Sequence, residues 1–342
     1  MEILIVRLGA IGDIVHTLPA LAAIKRERPD ARVTWAVEHR SAEILHENPF
    51  IDELIELDTR TIRGLPTEEK LTSMRRQLRS LKSRKFDVAI DFQGLLKSAV
   101  IARASGAKRR FGFSRKALRE PASRIFLTDT VKTDPQSHVI RKNLALAGGA
   151  LGFDDDPISL SFPISLNGGA AAEADAVLDT VSGEFVVLNP GGGWVTKLWP
   201  AESYGRLADL IWERLGLVSV VTVGPGEEKL ASQVAAGRAR NHIVPAAPSL
   251  KGFYEIARRA RLYVGGDTGP THLAMAAGAP IVGLFGPTEW WRNGSPNPMD
   301  ICVERVDIGC RVDCHRRACS NWICMQISPE TVFQAVQARL AK

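Results

Sequence analysis

The chain has no apolar run close to the ~20 residues that a membrane-spanning helix needs. Its opening, Met1-Glu2-Ile3-Leu4-Ile5-Val6-Arg7, has neither the basic start nor the long apolar middle of a secretory signal. A cytoplasmic location is therefore expected. Cysteine is confined to five positions, all beyond residue 300, and an odd count in a chain without a signal sequence argues against a disulfide framework. Low-complexity tails are also missing. With 45% hydrophobic and 24% charged residues, the 342-residue chain has the balance of an ordinary folded protein. At ~150 residues per domain, that length suggests two domains.

The net charge is +6, and it is uneven. Between positions 60 and 124 there are 18 Lys and Arg against five acidic residues, Glu68, Glu69, Asp87, Asp91 and Glu120. Such a block favours an anionic partner: nucleic acid, lipid headgroups or an acidic sugar phosphate. A solvated helix surface explains residues 70–85 equally well. Aromatic residues, 6% of the chain, do not interleave with the basic ones, which speaks against nucleic acid.

Along the chain, strand and helix patterns alternate. Residues 2–8, 32–37 and 86–91 read as strands, with helices at about 14–28 and 95–104. The same grammar restarts at residues 184–188, 218–223, 261–264 and 280–285, with helices at about 203–215 and 271–277. This alternation predicts parallel sheets covered on both faces. Residues 154–172, rich in Asp, Pro, Ser, Gly and Asn, read as a linker. Two α/β domains with their sheets facing across a cleft are expected: residues 1–165, residues 175–326, and a final helix in 327–342 that packs back on the body. Ligands in such sheets bind beyond the carboxyl ends of the strands.

Candidate site residues fall at those strand ends. Gly9 and Gly12 open the first helix, but Ile11 stands where a dinucleotide fingerprint needs its second glycine, and no third follows. Glu38, at the end of the second strand, is where a ribose-binding acid would lie. Asp13 reads either as a helix N-cap or as a general base able to take a proton from a sugar hydroxyl. His16 lies one turn on, and packing accounts for it alone. In the second half, Gly265-Gly266-Asp267-Thr268-Gly269-Pro270-Thr271-His272 joins a strand to a helix. Its small residues, hydroxyls and helix start suit a phosphate, or else a tightly capped turn. Gly191-Gly192-Gly193 with Thr196 and Lys197 makes a second cradle without Walker spacing. A lysine there would stabilise a departing diphosphate. Glu227 and Glu228 could hold ribose hydroxyls, or simply favour a helix start. Cys310, Cys314, His315, Cys319 and Cys324 are spaced more loosely than a zinc ribbon, so free thiols in a loop are expected.

Four segments together resemble glycosyltransferase family 9, the ADP-heptose:lipopolysaccharide heptosyltransferases. They are Ile5-Val6-Arg7-Leu8-Gly9-Ala10-Ile11-Gly12-Asp13-Ile14-Val15-His16-Thr17-Leu18-Pro19, Asp91-Phe92-Gln93-Gly94-Leu95-Leu96-Lys97-Ser98, Thr196-Lys197-Leu198-Trp199-Pro200, and Asp267-Thr268-Gly269-Pro270-Thr271-His272, the last continuing to Phe285-Gly286-Pro287-Thr288. The resemblance spans nearly the whole chain.

It implies a GT-B fold and an inverting transfer that uses no metal or other cofactor, the ADP-sugar being a co-substrate. The N-terminal domain would bind the acceptor and the C-terminal domain the donor, with Asp13 as base and Lys197 facing the diphosphate. Donor contacts would come from Gly191, Gly192, Gly193, Thr196, Glu227, Glu228, Asp267, Thr268, Gly269 and His272. Acceptor contacts would come from Gly12, His16, Arg60, Arg63, Gln93, Lys97 and Arg119. Arg119-Glu120-Pro121 resembles the first heptosyltransferases, which act on the Kdo sugar of lipid A. Kdo carries a carboxylate and lipid A carries phosphates, which suits the basic block and docking on an anionic inner-membrane surface. Gly191 to Gly193 in place of hydroxyl residues, and the cysteine-rich tail, depart from that subgroup. They leave open another core-sugar acceptor, as in the second heptosyltransferases, or another nucleotide-sugar donor.

Overall fold

Runs such as Ile3-Leu4-Ile5-Val6 and Phe185-Val186-Val187-Leu188 are apolar on both strand faces, so they need a sheet covered on both sides. The computed structural model describes residues 1–58, 69, 81–154, 160–237, 242–312 and 314–342, and it divides into two units, Met1–Ser165 and Leu166–Lys342. In the first unit, β1 (Glu2–Val6), β2 (Arg32–Glu38), β3 (Glu53–Leu57), β4 (Val88–Asp91), β5 (Arg109–Phe113) and β6 (Asp129–Val131) form one parallel sheet in the order β3-β2-β1-β4-β5-β6. In the second, β7 (Phe185–Asn189), β8 (Val218–Thr222), β9 (Ile243–Ala246), β10 (Leu262–Gly266), β11 (Ile281–Phe285) and β12 (Ile301–Glu304) form another in the order β12-β11-β10-β7-β8-β9.

Both are the Rossmann order. The expected α/β class with two Rossmann-like sheets is what the chain adopts. The strand order reverses between β1 and β4 in one unit and between β7 and β10 in the other. At those points the connections leave in opposite directions and open a crevice for a ligand. Val186, Leu188, Val221, Val264 and Leu284 are buried in the second core, each contributing about 1.5–3 kcal/mol relative to exposure.

Two of these expectations change. The first helix begins at Ile11 and ends at Val15, and a second covers Leu18–Glu27. Pro19 has no N–H to continue the first helix, and its fixed φ suits the first turn of the next. The linker reading fails after residue 167, where Asn167 caps the helix Gly168–Leu178 by accepting from Ala170 N at 3.0 Å. The helix Val139–Leu151, unassigned in the sequence, packs on Leu18–Glu27. The last helix, Pro329–Leu340, is capped by Ser328 and puts Val332, Phe333 and Val336 into the core against the helix Ala201–Leu215. Among the described residues, no helix is long and apolar enough to cross a membrane.

Candidate active site

In the first unit, the turn after β1 carries Asp13. Gly9 has φ of 142°, a conformation that side-chain-bearing residues rarely adopt. The N-cap of the short helix is Ala10, and no side chain caps it. Asp13 lies inside that helix, so the capping reading is corrected: its carboxylate faces arginines. Arg7 Nη2 donates to Asp13 Oδ1 at 2.8 Å, and Arg119 Nη2 and Nη1 approach Oδ1 and Oδ2 at 3.2 and 3.4 Å. Arg7 is held in turn by the Phe92 carbonyl and, through Nε at 3.2 Å, by the Asp13 carbonyl. Thr17 Oγ1 also donates to that carbonyl, at 2.8 Å.

The turn after β4 is joined to this one by Gln93. Its Oε1 accepts from Leu8 N at 3.0 Å and its Nε2 donates to Gly9 O at 2.9 Å. Gln93 is thus a buried staple between the two strand ends that flank the switch point. Beneath it, Asp91 accepts from Gln93 N, Gly94 N and Ser98 Oγ. Burial pushes the Asp91 carboxyl up, those hydrogen bonds and Arg7 pull it down, and it settles at about 6. Lys97 pairs with the buried Glu38 at 3.1 Å. His16 is buried with its ring edge-on to His138, and Gly12 is buried in the first helix. Arg60 and Arg63 lie outside the described residues.

In the second unit, the loops after β7, β8 and β10 lie side by side. Asp267 is central. Its Oδ2 accepts from Lys197 Nζ at 2.6 Å and its Oδ1 is 3.1 Å from His272 Nε2. Burial pushes the Asp267 carboxyl up, but the hydrogen bond with His272 and the charge of Lys197 outweigh it, and it lies well below the usual carboxylate range. Lys197 Nζ also sits 4.4 Å from the Trp194 ring centre, and Arg317 stacks on the same ring at 4.9 Å.

Glu227 ties the loops after β7 and β8 together, accepting from Gly224 N at 3.0 Å and Gly192 N at 3.3 Å. A Cβ on Gly191 would collide with its carboxylate, and one on Gly192 would press on Thr268 and Leu198. These glycines therefore permit close packing of loops. Gly193 has open space around its Cα. Glu228 starts the helix Glu228–Ala235 and accepts from Gly226 N. Thr268 and Gly269 open the helix Gly269–Ala276.

Thr196 turns the other way. Its hydroxyl donates to the Arg316 carbonyl at 2.6 Å, and its own carbonyl accepts from Trp322 Nε1 at 3.0 Å. It lines a pocket with Cys310, Cys314, Cys319 and Cys324. All five cysteines are free thiols. Among the described residues, no group of three His, Cys, Asp or Glu side chains is arranged to hold a metal ion.

Residues 74–339 match the family glycosyltransferase family 9 (heptosyltransferase). The chain belongs to this family. It is 32% identical over 290 residues to lipopolysaccharide heptosyltransferase 1 of Pseudomonas aeruginosa, covering 84% of this chain and 79% of that protein. It is 27% identical to the Escherichia coli K12 protein of the same name, covering 84% and 89%. Among solved structures it is similar to E. coli heptosyltransferase WaaC with ADP (TM-score 0.79, 24% identity, 99% of this chain and 100% of that one). It is also similar to a family 9 glycosyl transferase from Veillonella parvula (TM-score 0.84, 21% identity, 99% and 97%). The family 9 chain is a glycosyltransferase, and its fold is that of the GT-B heptosyltransferases.

Two features of this enzyme escaped sequence reasoning. Arg7 is the one charged residue in the run Ile3-Leu4-Ile5-Val6-Arg7-Leu8, and a buried charge in an apolar strand end was the available signal. Trp194 gave none, because its stacking on Lys197 and Arg317 depends on where the segment around residue 317 folds.

Proposed function

We propose that the enzyme moves heptose from ADP-L-glycero-D-manno-heptose to the Kdo region of Kdo-lipid A, with inversion and without a metal ion. The first unit binds the acceptor and the second the donor. The reading is carried by one observation: the residues that match the family's motifs gather at the carboxyl ends of the strands flanking the switch point in each unit, Asp13 with Gln93 in one, Lys197 with Asp267 in the other.

Asp13 takes the proton from the acceptor hydroxyl as its oxygen attacks the anomeric carbon. The bond to the diphosphate breaks on the opposite face, and ADP leaves with that electron pair. Lys197, aimed by Asp267 and Trp194, and the start of the helix Gly269–Ala276 meet the negative charge. Glu227 or Glu228 binds the nucleoside. Arg119, Lys97 and the basic block receive the anionic acceptor and the inner-membrane surface on the cytoplasmic side.

The test is ADP release from ADP-heptose, with and without Kdo-lipid A, in excess chelator. Acceptor-dependent release that ignores the chelator is expected. Tight ADP-heptose binding without release would discard this acceptor, and absence of both would discard the donor.

A further inference from the structure

The two arginines on Asp13 are not equivalent. The Arg7 side chain is 3% exposed and makes the shorter contact, 2.8 Å. It is also anchored to the Phe92 and Asp13 carbonyls, so leaving would strand a buried cation. Arg119 is 47% exposed and its contacts are longer, 3.2 and 3.4 Å. Exposed pairs of this kind are weak and readily exchanged. The backbone beside it is tied down, since Glu120 N donates to Gly94 O at 3.1 Å and Glu120 Oε2 accepts from Leu96 N at 2.6 Å. Arg119 can therefore swing while its segment stays at the mouth of the site.

From this difference we infer that Arg7 is the fixed counter-ion of Asp13 and Arg119 an exchangeable one, which a carboxylate on the acceptor sugar draws away to uncover the base. The inference rests on the proposed role of Asp13. Arg119 caps both carboxylate oxygens in the resting enzyme and competes with the acceptor hydroxyl for them. An incoming carboxylate offers its guanidinium a bidentate partner at similar cost in exposure. Arg7 then keeps Oδ1 in place, so the base stays oriented. Arg7 is a positioning residue, and Arg119 couples recognition of the acceptor's charge to catalysis.

The experiment compares wild type and Arg119→Gln on Kdo-lipid A and on the same acceptor with its Kdo carboxylate methyl-esterified. For wild type, the ester should lower kcat about fivefold and raise KM, because Arg119 stays on Asp13. In Arg119→Gln, kcat on the ester should return to the wild-type value on the native acceptor while KM stays high. If Arg119 serves binding alone, Arg119→Gln leaves kcat on the ester unchanged, and the inference is overturned. Wild type inactive on both acceptors would overturn the function reading instead. The exchange is then judged by guanidinium 15N NMR of the intact enzyme titrated with free Kdo. Movement of the Arg119 resonance with Arg7 stationary supports it, and a stationary Arg119 resonance rejects it.

Discussion

Lys197 Nζ lies 2.6 Å from Asp267 Oδ2 and 3.0 Å from the same residue's carbonyl oxygen, so one aspartate grips the lysine by side chain and backbone together. The grip fixes the ammonium over the Trp194 ring. Lys197→Ala would leave the Asp267 carboxylate, 4% exposed, with a counter-charge missing. We expect a loss of about 3 kcal/mol in urea denaturation and a fall in kcat of about a hundredfold. A variant with wild-type kcat would remove Lys197 from the reaction.

Asp13→Asn keeps the shape and hydrogen-bonding reach of the side chain and removes its basicity. Transfer should fall by about a thousandfold, while ADP-heptose binding, measured by calorimetry, stays at the wild-type level. Retained turnover would exclude Asp13 as the base.

Glu227→Ala should loosen the loops after β7 and β8, since Gly192 N and Gly224 N lose their acceptor. The expected signature is a donor KM raised about tenfold with a smaller change in kcat. An equal fall in kcat at unchanged KM would point to a role in the chemical step.

Asp91 gives a pH dependence to stability. Its folded-state value of about 6 lies above the ordinary 3.8, so the folded chain holds this proton more tightly than the unfolded one. The proton's contribution is full below about pH 4, declines as pH rises through 6, and is gone above it. It amounts to something on the order of 2–3 kcal/mol. Asp91→Asn should flatten the pH profile of urea stability across that window. An identical profile in the variant would count against the assignment.

Gln93→Ala removes the staple between the turns after β1 and β4, leaving Leu8 N and Gly9 O without their side-chain partner. A stability loss of about 1–3 kcal/mol follows. Slower transfer with unchanged donor affinity is expected, because the affected turn carries Asp13. An unchanged kcat would show that the turn holds without it.

Much of the fold was legible in the sequence because buried parallel strands leave a plain mark. Ile3 to Val6, Phe185 to Leu188 and Ile281 to Phe285 are apolar without alternation. Edge strands were missed for the converse reason. Asp129–Val131 and Ile243–Ala246 are short and less completely buried, so their composition does not separate them from loops. The helix Gly168–Leu178 was hidden by its two opening glycines, whose cost is offset by the Asn167 cap and by packing on the helix Leu250–Arg259.

The sequence by itself determined the class of fold, the strand ends at which site residues lie, and the family to which the motifs belong. These depend on local composition and on residue spacing. It could not decide what each polar group touches. Asp13 read as a cap or a base, and only the folded chain brings Arg7 and Arg119 onto it, the latter from 106 positions away. Gln93 read as an acceptor contact, and folding made it a staple across 84 positions. Lys197 and Asp267, 70 positions apart, read as separate phosphate ligands and form one pair. Charge pairing and hydrogen bonding act over a few ångströms in space, whatever the distance along the chain, so these contacts were decided by tertiary structure alone.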